Sequence, residues 1–114
     1  MKWQDKNQDM RDQLRTLNAT IPGATKGFGE LSKAVKSPKT LDLKTVEFVA
    51  LGIAIADRCE PCIGFHMASL VKLGATRDEI SDVLGMAIQM GGGPSLMYAA
   101  KALRCYDDLT ETAA

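Results

Sequence analysis

Cys59 and Cys62 enclose two residues in the run Cys59-Glu60-Pro61-Cys62, and His66 follows four positions later. On a helix, separations of three and four place these side chains within about one-sixth of the circumference, so all three can line one pocket. Axial spacing divides their roles. His66 is one turn from Cys62, whereas Cys59 lies seven residues from it, roughly 10 Å at 1.5 Å per residue. His66 is therefore the natural base for Cys62, directly or through a water. Thiolate is the reactive form of cysteine, and a free thiol is only a few per cent thiolate at neutral pH. A helix N-terminus and an imidazole one turn away both favour the anion, and this spacing supplies both. Glu47, twelve residues before Cys59, is the only acidic residue between Asp42 and Asp57. In so apolar a setting a carboxylate is costly unless paired. An antiparallel pair of helices lets Glu47 reach His66, orient the ring and stabilise its cationic form.

Such a cysteine pair points to redox chemistry or to metal binding. Zinc is the chemical rival, with Cys59, Cys62 and His66 as three ligands. A closed structural site takes a fourth, and the chain has no second histidine and only the distant Cys105. Neither a metal nor any other cofactor is expected. Cys105 has no partner in sequence and is expected to pack as a small hydrophobe.

Helices must position these groups. The chain has 114 residues, 46% apolar, with 14 basic and 14 acidic side chains, which fits one small globular domain. A chain this short hides only about two-thirds of its unfolded surface when it folds alone, so self-association is a natural further source of burial. Zero formal net charge removes the whole-chain electrostatic case for nucleic acid or an anionic membrane surface. The longest apolar run, residues 48–56, is far below the roughly 20 residues that cross a bilayer. The first twenty residues lack the apolar core of a secretory signal and are too acidic for a transit peptide, so a cytoplasmic location is expected.

Periodicity predicts an all-α bundle of five to six helices. A first, polar helix over 5–17 carries Met10, Leu14 and Leu17 on one face. A second, over 25–35, carries Phe28, Leu31 and Val35 and stops before Pro38, because the residue preceding proline is pushed out of helical geometry. The third begins at Asp42, a good N-cap, and runs to 57 with Val46, Val49, Ala50, Ile53 and Ala56 on one side and Phe48, Leu51 and Ile55 on the other. A strand is the alternative for its apolar core, but the segment is long and lacks hairpin signals. The fourth helix starts at Glu60 or Pro61 and closes at Gly74. Thr76 and Glu79 form a capping box that opens the fifth through Ile80, Val83, Leu84 and Ala87. Gly91-Gly92-Gly93-Pro94 breaks it, and a last helix over 95–109 packs Leu96, Ala99, Ala100 and Leu103.

The stretch 41–87, with Glu47, then Cys59-Glu60-Pro61-Cys62-Ile63-Gly64-Phe65-His66, then Gly74-Ala75-Thr76-Arg77-Asp78-Glu79-Ile80, resembles the carboxymuconolactone decarboxylase superfamily in its alkyl hydroperoxidase D-like thiol branch. The resemblance implies a domain over 23–110, preceded by an N-terminal helical extension (1–22) and followed by a flexible tail (111–114). It implies an all-α fold assembled as a trimer or hexamer. The implied reaction is a dithiol/disulfide cycle in antioxidant defence that reduces a hydroperoxide or disulfide, with a dithiol or a partner protein as electron donor. By that resemblance Cys62 is the attacking thiolate, Cys59 the more exposed resolving thiol, and His66 with Glu47 the proton relay. Pro61 departs from the pattern: the hydroperoxidase D proteins carry a histidine there, so a shorter relay and weaker peroxidase turnover are expected. Two other functions suit the same chain. One is a lactone decarboxylase, which has no need of paired cysteines. The other is an oligomeric redox sensor whose cysteines switch without turnover.

The remaining features have ordinary explanations. Lys33, Lys36, Lys39 and Lys44 make a solvated face. The Gly91–Gly93 run lacks the Lys-Ser/Thr of a phosphate cradle and is expected to be a turn. Met86, Met90 and Met97 suit the core or a subunit interface.

Overall fold

Six helices, and no strand among the described residues, make up the computed structural model, which describes residues 1–111. The tail expected at 111–114 therefore lies, beyond Glu111, outside the described residues. The helices are α1 (Trp3–Thr20), α2 (Pro22–Val35), α3 (Leu43–Ala56), α4 (Glu60–Lys72), α5 (Arg77–Gly91) and α6 (Gly93–Thr110).

Their limits follow from local chemistry. Pro22 sits in the first turn of α2, where a missing N–H removes no helical bond, so α2 starts three residues before the expected Thr25. The Asp42 carboxylate accepts the Thr45 N–H at 2.7 Å and caps α3; the Thr45 hydroxyl first, and this N–H second, hold the Asp42 carboxyl below its ordinary range. Thr76 and Glu79 form the expected capping box, with Glu79 N–H donating to Thr76 Oγ1 (3.1 Å) and Thr76 N–H to Glu79 Oε1 (2.9 Å).

Helices α3 to α6 form the bundle: α3 packs on α4 and α5, while α6 packs on α4 and α5 and also touches α3. Leu51 and Ile55 of α3, Ile63, Met67 and Leu70 of α4, Ile80 of α5, and Ala102 and Cys105 of α6 are fully buried. Cys105 thus packs as the small hydrophobe expected.

Three helix faces differ from the periodicity. In α3 the core takes Leu51, Ala54 and Ile55, while Val49 and Ile53 of the opposite stripe are exposed. A helix that is apolar on both sides leaves the choice to its neighbours. In α6 the buried stripe is Ser95, Ala99, Ala102 and Cys105, with Leu96 exposed; small side chains let α6 approach the bundle closely. In α1 the anchors are Trp3 and Asn7, not Met10, Leu14 and Leu17. The cause is Gly64 on α4: a Cβ there would overlap Asn7 Oδ1 and crowd the Trp3 ring. Asn7 Nδ2 donates to the Gly64 carbonyl at 3.0 Å, and the Trp3 N–H donates to Asp108 Oδ2 at 3.1 Å. The first helix is therefore stitched to α4 and α6 through its N-terminal half.

Helix α2 stands apart. It buries no residue and packs against α1 alone, leaving Phe28, Leu31 and Val35 exposed. Met86, Met90 and Met97 are exposed too, so they are not core filler.

Candidate thiol site

The turn between α3 and α4 does two tasks in three residues. Arg58 N–H donates to the Ile55 carbonyl (3.1 Å) and Cys59 N–H to the Ala54 carbonyl (3.0 Å), the paired bonds of a Schellman closure. Arg58 takes the left-handed conformation that this closure needs, with φ 57°. Cys59, having closed α3, is also the N-cap of α4, and its Sγ accepts the Cys62 N–H at 3.3 Å. Cys59 therefore precedes the helix, and a single helix face relates only Cys62 and His66. The two sulfurs are joined as a disulfide across a Cα–Cα distance of 5.2 Å.

One turn into α4, His66 Nδ1 meets Glu47 Oε2 at 2.6 Å. Glu47 is 2% exposed, so this is a buried carboxylate with a charged or strongly polar partner, the arrangement that burial demands. Its other oxygen lies 3.8 Å from Lys36 Nζ, at the C-cap of α2. As a carboxylate, Glu47 accepts the Nδ1–H, which fixes the tautomer and leaves Nε2 to take or give a proton. Cys59, Cys62 and His66 share a pocket of about 250 Å³ with Ala50, Ile53, Ala54 and Asp57.

The residues foreseen from sequence, Glu47, Cys59, Cys62 and His66, are thus brought together. Supporting residues escaped the sequence because they come from remote elements. Lys6 of α1 and Lys101 of α6 both reach Glu60, the first residue of α4, at 3.0 and 3.4 Å. Lys6 holds the Glu60 carboxyl below its ordinary value, with Lys101 assisting. Cys105 is away from this pocket, and burial pushes its thiol up to about 12. Among the described residues, no three His, Cys, Asp or Glu side chains converge closely enough to hold a metal ion.

The sequence profile of the carboxymuconolactone decarboxylase family matches residues 22–104, and the chain belongs to that family. A crystal structure of a family member from Legionella pneumophila, in its apo form, is 43% identical and superimposes with a TM-score of 0.90 over 96% of this chain and 97% of the other. A second, from Thermotoga maritima and described with a suggested involvement in antioxidative response, is 31% identical with a TM-score of 0.78, over 89% of each chain. An uncharacterised protein of Cupriavidus necator is 34% identical over 101 residues, 89% of each chain. No helix among the described residues is long and apolar enough to cross a membrane.

Proposed function

We propose that this protein is a thiol-dependent peroxidase that cycles between the Cys59/Cys62 dithiol and its disulfide, in antioxidant defence. The observation that carries the reading is the disulfide at the start of α4 in one pocket with a histidine whose Nδ1 is held by a buried carboxylate. Family membership and the antioxidative description of the Thermotoga maritima relative support it.

In the reduced protein the Cys62 thiolate attacks the outer oxygen of a hydroperoxide. An S–O bond forms, the O–O bond breaks, and His66 Nε2–H protonates the departing alkoxide. Glu47 compensates the imidazolium charge. The Cys59 thiolate then attacks the sulfenic sulfur, forming the disulfide and releasing hydroxide, which leaves as water after taking a proton. The two thiols are activated from different sources. Cys62 has the imidazole one turn away, and Cys59 has the Cys62 N–H at 3.3 Å, part of the positive end of α4. An external dithiol returns the pair to the reduced form by exchange. A pocket near 250 Å³, below the usual range for drug-sized ligands, suits a small hydroperoxide. A reducing cytoplasm is the compartment in which the pair would cycle.

The test is peroxide consumption supported by a dithiol. Cys62→Ser is expected to abolish turnover and Cys59→Ser to reduce it strongly. Intact mass after mild peroxide is expected to show loss of two hydrogens, mapped to the Cys59–Cys62 link. Wild-type turnover in both serine variants would end the proposal.

A further inference from the structure

The α3–α4 turn supplies little of its own to hold Cys59 as a thiolate. At the start of α4, Pro61 has no N–H, and the Ile63 N–H is taken by the Cys59 carbonyl at 3.0 Å. The Cys62 N–H reaches the Cys59 sulfur at 3.3 Å. His66 is one turn from Cys62 and serves that sulfur first. Glu60, directly after Cys59, sets a carboxylate at the positive end of the helix, where it opposes a second anion.

Two lysines from distant parts of the chain answer that charge. Lys6 of α1 meets Glu60 Oε1 at 3.0 Å, and Lys101 of α6 lies 3.4 Å from Oε2. Each carboxylate oxygen has its own ammonium, so the cluster carries one positive charge in excess. Lys6 is itself held: its ammonium stands 4.6 Å from the centre of the Trp3 ring, and the Trp3 N–H is bonded to Asp108. The other charged groups around the sulfurs come in opposite signs. On the α3 side Glu47 faces His66 and Lys36, and the turn carries Asp57 next to Arg58. On α6, Asp108 faces Lys2, and the Cys105 thiol, pushed up to about 12 by burial, is uncharged.

We propose that Lys6 and Lys101 are positioning residues for Cys59: by gripping Glu60 from two sides they leave the start of α4 net positive and hold Cys59 as a thiolate. Glu60 is the bridge that keeps both ammoniums beside the turn. The role rests on the peroxidase cycle proposed above, in which the Cys59 thiolate attacks the Cys62 sulfenic sulfur; the S–S bond forms, the S–O bond breaks and hydroxide leaves. The same charge acts on the return step. A stabilised thiolate favours the reduced pair, so the disulfide yields more readily to an external dithiol.

The experiment reads Cys59 by iodoacetamide alkylation of the reduced full chain in a Cys62→Ser background, where the fully buried Cys105 stays silent. The rate against pH gives the thiolate midpoint. Removing an elementary charge one to two helical turns away changes such an equilibrium by roughly 3- to 10-fold. Lys6→Met and Lys101→Met are each expected to raise the midpoint by about half a pH unit or more, at least a threefold loss of thiolate. Glu60→Gln is expected to lower it. The double variant Lys6→Met/Glu60→Gln restores the single excess charge and is expected to return the midpoint to the wild-type value, and Lys6→Arg to keep it. With both cysteines present, equilibrium with reduced and oxidised glutathione is expected to move toward the disulfide in Lys6→Met and away from it in Glu60→Gln. Lys101 is exposed, so Lys101→Met tests the charge even where loss of Lys6 loosens α1, a loosening that Trp3 fluorescence reports.

One midpoint shared by all these variants overturns the proposal. So does a Lys6→Met change that Glu60→Gln fails to reverse, which would make Lys6 a packing residue of α1. Alkylation needs neither hydroperoxide nor turnover, so these outcomes leave the peroxidase reading untouched, and a chain inactive toward hydroperoxide leaves the midpoints to be read as they stand.

Discussion

The turns at the two ends of α4 share one backbone device and fill it with different residues. At the α4–α5 turn, Gly74 N–H bonds to the Val71 carbonyl and Ala75 N–H to the Leu70 carbonyl, at 3.1 and 2.9 Å, and Gly74 takes φ 80°. Thr76 then caps α5 through its hydroxyl. At the α3–α4 turn the same two bonds recur, but Arg58 holds the left-handed position and a sulfur does the capping. Glycine and threonine are the stable choices for these positions. A non-glycine residue in the left-handed region costs about 1 kcal/mol or more, and sulfur is a weak acceptor. The turn that fits its residues best is the one without chemistry. The turn that departs from the best fit is the one that places two sulfurs at a helix start, as expected where function and stability compete.

The contrast predicts opposite responses to mutation. The largest effect is expected on the pocket side: His66→Ala and Glu47→Gln should each lower kcat/KM for hydroperoxide on the order of 100-fold, while Thr76→Ala leaves it unchanged in the same steady-state assay. Next come stability changes, measured by urea unfolding of the oxidised protein. Gly74→Ala is expected to cost about 1–2 kcal/mol, because a Cβ is forced into the left-handed region, and Thr76→Ala about 1 kcal/mol through the lost cap. Arg58→Gly should do the reverse and raise stability by about 0.5 kcal/mol, the relief of strain exceeding glycine's added freedom in the unfolded chain. Equal losses from Arg58→Gly and Gly74→Ala would remove the distinction between the turns.

The smallest effect concerns acid. Each helix start carries a carboxylate held below its ordinary value, Glu60 by Lys6 and Glu79 chiefly by the Thr76 N–H. A depressed carboxyl contributes stability that is present above the unfolded-state value, about 4.3 for glutamate, and is lost as pH falls through the lower folded-state value. The urea midpoints of wild type and Glu60→Gln are therefore expected to differ at pH 7 and to converge below pH 4, with Glu79→Gln behaving alike. A difference that persists unchanged at low pH would place the contribution in packing.

What the sequence made legible was local. The start of α5 is written in four consecutive residues, and the pairing of His66 with Glu47 follows from an isolated acid in an apolar helix beside a cysteine pair. The buried face of α3 was not legible, because Val49 and Ile53 are as apolar as Leu51 and Ile55 and only neighbouring helices decide between them. Nor was the anchoring of α1, whose cause is the missing side chain of Gly64 some sixty residues away. Lys6 and Lys101 act on Glu60 from opposite ends of the chain and leave no mark in local spacing.

The chain's single tryptophan is Trp3, which is 3% exposed beside α4, with the Lys6 ammonium 4.6 Å from its ring centre. Lys6 in turn holds Glu60, the neighbour of Cys59. Fluorescence excited selectively at tryptophan, and not at Tyr98 or Tyr106, therefore has one emitter, wired to the turn that carries the sulfurs. Undocking of α1 would shift its emission to longer wavelength, so a stopped-flow trace could time such motion in label-free protein.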